Sequence, residues 1–206
     1  MKKILLGITG ASGQIYASKM MEVVRAINGE LTGTGSGRVN GNGSDVGSGN
    51  VSAAGMGIRL DLVFTDTAKV VWEDELGVPV PANALDNNSY YHPYASGSNA
   101  ADIMIVMPCT MGTIGRIASG ATSDLLTRAA DVMLKERRPL IIVPRETPFN
   151  LIHLRNLTTL AEAGAIIAPA SPSFYTHPQN MDELIDTFVR RILNIAGIEV
   201  DLKRFE

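Results

Sequence analysis

Apolar residues along this chain fall into two alternating rhythms. Short unbroken runs (Lys3 to Thr9, Arg59 to Phe64, Ile103 to Met107, Leu140 to Val143 and Ala165 to Ala168) have the length and composition of buried strands. Between them, apolar positions return every three or four residues, the spacing of a helix face. Gln14 to Ile27 is the clearest case, with Ile15, Met20, Val23, Val24 and Ile27 recurring at that spacing. Further helices are predicted from about Thr67 to Leu76, up to about Ser119, over Asp124 to Glu136, between the last two strands, and over Met181 to Ala196. Strands that alternate with helices and are apolar on both faces predict an α/β fold. The expected form is a three-layer Rossmann-like or flavodoxin-like domain with a mostly parallel sheet. At 206 residues a single domain over 1–206 is expected.

Two segments break the rhythm. Gly29 to Gly57 holds ten of the chain's 20 glycines and only three charged residues. Such a stretch cannot bury enough apolar surface to offset its ordering entropy, so a flexible excursion at about 29–58 is expected. Its glycines are not followed by a helix or by Lys-Ser/Thr, which excludes a phosphate loop. Gly77 to Asn99 is also loop-rich, with prolines, paired asparagines and three tyrosines.

Charge changes the picture only locally. The net charge of −3 gives no general affinity for nucleic acid, yet Arg and Lys gather between Leu125 and Asn156, which points to a small anion. The single cysteine, Cys109, excludes an intramolecular disulfide and fits a reducing compartment. No apolar run approaches the roughly 20 residues needed to cross a bilayer. The N-terminal apolar run is broken by Gly7, Thr9 and Gly10, so a first strand is expected there rather than a signal peptide. These features together predict a cytoplasmic protein with no membrane or nucleic-acid partner.

Candidate chemistry follows the strands. In open α/β sheets ligands bind outside the carboxyl ends of strands. Thr9-Gly10-Ala11-Ser12-Gly13 joins the first strand to the first helix and offers free N–H groups and a hydroxyl to a phosphate, or simply a tight turn. Its spacing is not the dinucleotide pattern Gly-x-Gly-x-x-Gly. Cys109-Thr110-Met111-Gly112-Thr113 occupies the equivalent place after the third strand. Cys109 has no histidine base near it in sequence, which favours a small buried apolar residue over a nucleophile. The loop Pro144-Arg145-Glu146-Thr147-Pro148 is stiffened by two prolines and carries both charge signs. Arg128 and Lys135, seven apart, share a helix face. Phe174-Tyr175 and Arg190-Arg191 could serve a second phosphate, or a core and a solvated helix face. With three histidines, one cysteine and no paired spacing, a metal site is not expected.

Taken in order, these motifs resemble the flavin prenyltransferase family of UbiX type, over Lys2 to about Asn28 and Leu60 to Ile198. The resemblance rests on Gly10-Ala11-Ser12-Gly13, Ala95-Ser96-Gly97-Ser98, Pro108-Cys109-Thr110, Arg128-Ala129-Ala130-Asp131, the Leu134 to Pro139 block, Pro144 to Pro148 and Phe174-Tyr175. It implies a metal-independent enzyme that joins the dimethylallyl group of dimethylallyl phosphate to N5 and C6 of reduced FMN. It further implies a homododecamer with sites between subunits, and delivery of prenylated FMN to a UbiD-type decarboxylase. By motif, FMN would meet Gly10, Ala11, Ser12, Thr65, Thr110, Met111, Gly112, Thr113 and Arg145. The prenyl phosphate would meet Lys135, Glu146, Tyr175 and Arg191, with Arg128 nearby. Glu75, Lys135 and Glu146 would be catalytic. Thr65 stands where the family has Ser, and Phe205 where its tail often has Trp. Two other readings are an FMN-dependent decarboxylase of peptidyl-cysteine type and a non-catalytic FMN-binding subunit. The first lacks its histidine, since none precedes His92; the second leaves Lys135, Glu146, Tyr175 and Arg191 without a purpose.

Overall fold

The computed structural model describes residues 1–29 and 57–202. Most of the Gly-rich segment, and Phe205, lie outside the described residues. Among the described residues five strands form one sheet: β1 (Lys2–Ile8), β2 (Ile58–Phe64), β3 (Ile103–Cys109), β4 (Leu140–Pro144) and β5 (Ile166–Ile167). Their order is β2-β1-β3-β4-β5, and every pairing is parallel. This is the flavodoxin-like order, which reverses direction between β1 and β3. β5 is shorter than its apolar run, and β3 runs two residues further, to Cys109.

Six helices among the described residues cover the sheet: α1 (Gln14–Ile27), α2 (Asp66–Leu76), α3 (Met111–Ala118), α4 (Leu125–Lys135), α5 (Leu151–Glu162) and α6 (Met181–Ile195). Alternate strand residues face opposite layers. Ile4, Leu6 and Ile8 join Met20 and Val24 of α1, Trp72 of α2 and Val189 of α6 in one core. Leu5, Met104 and Val106 join Ile114 of α3, Leu126 and Met133 of α4, and Leu160 of α5 in the other. Each large aliphatic side chain buried this way contributes about 1.5–3 kcal/mol. That makes the strands a stiff frame for the loops at their ends. The 77–99 segment is a strap. It starts beside β2, where the Leu85 N–H donates to the Leu62 carbonyl at 2.7 Å, and contains two short 3₁₀ turns, Pro93–Ala95 and Gly97–Asn99.

Candidate active site

The carboxyl ends of β1, β2 and β3 each turn at once into a helix, and the turns are bound to one another at the point where the strand order reverses. The Thr9 hydroxyl donates to the Pro108 carbonyl at 2.9 Å and accepts the Thr110 N–H at 2.8 Å. Gln14 is fully buried, and its amide donates to the carbonyls of Thr9 and Ala11 at 2.9 and 2.7 Å. Gly10 must be small: a Cβ there would fall 2.5 Å from Cγ2 of Thr67.

The three helix starts therefore adjoin one another, bordering the crevice expected outside the strands' carboxyl ends where the order reverses, and the first N–H groups of a helix have no partner within it. Thr65 caps α2, accepting the Ala68 N–H at 3.2 Å. Thr110 caps α3, accepting the Thr113 N–H at 3.1 Å. α1 is different. Its start carries no side-chain cap from Gly13; instead Glu75 of α2 accepts the N–H groups of Gly13 and Gln14 at 2.9 and 2.8 Å. Burial raises the Glu75 pKa, but the Ser12 hydroxyl, these two N–H groups and the Arg145 charge outweigh it and hold the carboxyl below its ordinary range. In the run Glu73-Asp74-Glu75 it is Glu75 that reaches the crevice.

Arg145 enters from the end of β4. Its N–H donates to the Cys109 carbonyl at 3.2 Å, and its Cγ lies 3.9 Å from where a Gly13 Cβ would stand. Burial raises the Tyr16 hydroxyl, and the positive charge of Arg145 opposes the shift. Glu146 comes next, exposed, with its Oε1 accepting the Thr147 N–H at 2.9 Å. The expected cofactor residues Gly10, Ala11, Ser12, Thr65, Thr110, Met111, Gly112 and Arg145 thus converge, and Glu75 joins them. Thr113 faces inward at 2 % exposure. Its hydroxyl accepts from Thr110 at 3.0 Å and from Arg116 at 3.2 Å, so it holds the turn in shape. Cys109 is fully buried; burial pushes its thiol far up, against a smaller opposing effect of Arg116. That is the environment of an inert thiol.

Free helix-start N–H groups, hydroxyls and one guanidinium suit a flavin mononucleotide, whose phosphate and ring edge need donors of these two kinds. The Gly13 and Gln14 N–H groups are already committed to a carboxylate. An anion is therefore better served by the starts of α2 and α3 and by Arg145. Among the described residues no group of three His, Cys, Asp or Glu is placed to hold a metal.

The expected substrate residues do not all meet these. Lys135 ends α4 and pairs with Glu136 at 2.8 Å. It stands where the chain is about to enter β4, near Arg138, which donates to the Ala101 carbonyl at 3.0 Å just before β3. Arg145 and Glu146 lie beyond the other end of β4, and five residues of strand span about 15 Å. Arg128 pairs with Asp131 at 2.8 Å and donates to the Ala95 carbonyl at 3.2 Å. Arg191 is exposed on α6 and donates to Asn194 at 3.2 Å. Tyr175 is 44 % exposed on the loop before α6. Sequence reasoning missed Gln14, Tyr16, Arg116 and Tyr94. Gln14 carried a signal: it is polar yet lies three residues before Ala17 on the buried stripe of α1.

Comparison with known proteins agrees with this architecture. Residues 51–193 match the Flavoprotein family model. The chain is 36% identical over 206 residues to a flavin prenyltransferase UbiX of Methanocaldococcus jannaschii, covering 97% of this chain and 96% of that one. It is 40% identical over 202 residues to that of Halalkalibacterium halodurans, covering 96% and 89%. The solved structure of AnUbiX in complex with FMN and dimethylallyl pyrophosphate superposes with a TM-score of 0.82 at 32% identity, covering 100% of this chain and 97% of that one. FMN-dependent cysteine decarboxylases such as SpaF, at 17% identity and a TM-score of 0.53, share the fold alone. On whole-length similarity and on the crevice built by Gly10, Thr65, Thr110 and Arg145, the chain belongs to the UbiX family of flavin prenyltransferases.

Proposed function

We propose that this chain is a single FMN-binding domain that transfers the dimethylallyl group of dimethylallyl phosphate to N5 and C6 of reduced FMN. The observation that carries the reading is the crevice itself, in which hydroxyl-bearing helix starts, Arg145 and the ionised Glu75 converge at the sheet's reversal point. Bound reduced FMN supplies the nucleophilic N5 and C6 that receive the five-carbon group.

The protein's own residues divide the remaining work. Breaking the allylic C–O bond leaves an allyl cation and a phosphate whose charge grows. Lys135, Arg191 and the Tyr175 hydroxyl stabilise that charge, with Arg128 beside them. Glu146 would pass a proton to the departing phosphate and later take one from the flavin, which regenerates it. Glu75, held ionised, sets negative charge beside the crevice in which the cation develops. Since one protomer holds Lys135 and Glu146 a strand's length apart, the complete site is assembled from more than one copy. The exposed apolar residues of α5, Leu151 at 59 %, Ile152 at 65 % and Leu154 at 48 %, form a surface suited to such contacts. A related Escherichia coli structure is dodecameric, with a TM-score of 0.79 at 29% identity. A homododecamer with sites between subunits accounts for both features. In the cytoplasm, the product would pass to a UbiD-type decarboxylase. Among the described residues no helix is long and apolar enough to cross a membrane.

The test is anaerobic. Purified protein is mixed with reduced FMN and dimethylallyl phosphate, and the flavin is weighed by mass spectrometry. A gain of one five-carbon unit is the expected result. Bound FMN with no adduct, under excess donor, rejects the proposal.

A further inference from the structure

β2 carries a carboxylate between two leucines. Asp61 lies between Leu60 and Leu62, with a side chain only 15 % exposed. It accepts from Arg59 Nε at 2.9 Å and from the hydroxyl of Tyr94 in the strap. Tyr94 is 4 % exposed and belongs to the core under α4. Its ring lies 5.0 Å from that of His92, whose Nδ1 accepts the Tyr94 N–H at 3.3 Å. Burial, the hydrogen bond and the Asp61 charge all push the Tyr94 hydroxyl far up, against a smaller effect of Arg59, so it remains a donor.

The strap residues just past Tyr94 are directed at α4. The next carbonyl, that of Ala95, receives Arg128 Nε at 3.2 Å. Two residues on, Gly97 faces the Lys135–Glu136 pair so closely that a Cβ would fall 2.0 Å from Glu136 Oε1 and 2.9 Å from Lys135 Nζ. Ten residues before Gly97 the strap is also fixed by Asn87, which accepts the Leu126 N–H at 2.9 Å at the start of α4. It therefore runs the length of the helix, and Tyr94 is its anchor in the half that touches Arg128 and Lys135. These two long side chains are 35 % and 57 % exposed and would lose rotamer freedom on gripping a phosphate. A fixed strap reduces that loss before the substrate arrives.

We propose that Asp61 and Tyr94 form a latch that fixes the strap and so orients Arg128 and Lys135 for the prenyl phosphate. Both are positioning residues, and the inference rests on the prenyl-transfer reading. Removing one hydrogen bond to a charged partner in Tyr94→Phe raises the KM for dimethylallyl phosphate roughly ten-fold. The FMN affinity stays within about two-fold, and kcat falls as a misaligned Lys135 stabilises the departing phosphate less well. Asp61→Ala gives the same shift without altering the core ring, and Asp61→Asn, which keeps an acceptor, restores most of it. In an Arg128→Ala background Tyr94→Phe gives a clearly smaller shift, because one of the two side chains it acts through is gone. Hydrogen exchange at residues 95–100 speeds up in Tyr94→Phe and Asp61→Ala. A lowered melting temperature with unchanged KM in both variants, or a KM shift undiminished in the Arg128→Ala background, overturns the latch. Failure of the unaltered protein to form any adduct overturns the prenyl-transfer reading instead, a result separate from either of those.

Discussion

The two ends of the sheet are built differently. At the carboxyl end, the crevice groups are bound to one another: Thr9 to Pro108 and Thr110, Glu75 to the start of α1, Gln14 across the turn that precedes it. At the amino end, Lys135 and Arg138 lie in exposed ion pairs with Glu136 and Asp102. Ion pairs of that kind typically contribute about 0–1 kcal/mol. The contrast separates two tasks. On the proposed reading, a flavin site that is rigid within one protomer forms on folding, whereas a phosphate grip split between the ends would take a second copy to close it.

The sharpest way to break that division is Glu146→Gln. It should lower turnover by roughly 10²–10⁴-fold while leaving FMN binding unchanged, because only proton transfer is removed. Single-turnover mass spectrometry and flavin fluorescence titration measure the two effects separately. Unimpaired turnover takes Glu146 out of the mechanism.

Next comes a mixing experiment. Lys135→Ala and Glu146→Gln chains, each inactive alone, are co-expressed with different tags. If each site draws these residues from different chains, about a quarter of the sites in a random mixture regain both. A mixture as inactive as its parents would place both groups in one protomer and erase the contrast.

A third variant probes the rigid end alone. Gly10→Ala forces a methyl against Thr67 and should cost about 1–3 kcal/mol with weakened FMN binding, read by denaturant melts and titration. Unchanged stability would mean that the start of α2 yields easily. The smallest effect is one of pH. Glu75 has a lowered folded pKa, so its contribution to stability is present above the ordinary carboxylate range and is lost as pH falls through the folded value. Glu75→Gln should therefore flatten the acid limb of the melting-temperature profile. An acid limb unaltered by that change would mean that the cap on α1 does not depend on charge.

Much of the fold could be read from spacing. Gln14 to Ile27 forms a helix over those same residues, and the buried strands track their apolar runs, because both periods are set by local geometry. The turns after β1 and β3 were legible as strand-to-helix junctions for the same reason. What spacing could not give was distance through the fold. The charges between Leu125 and Asn156 read as one cluster around a predicted strand, yet that strand, β4, holds Lys135 and Arg145 at its opposite ends. Nor could it pair Asp61 with Tyr94, or Glu75 with Gly13, since each bond joins segments far apart in sequence. Asp61 did leave a trace, a charge inside an apolar strand.

The sealed sulfur of Cys109 has a practical consequence. As the chain's sole thiol, shielded from solvent in the folded protein, it reacts with an alkylating reagent only when β3 opens. Labelling kinetics then report native-state breathing at the centre of the sheet without any engineered probe. Slower labelling on adding FMN would measure how strongly the ligand clamps the strand beneath it.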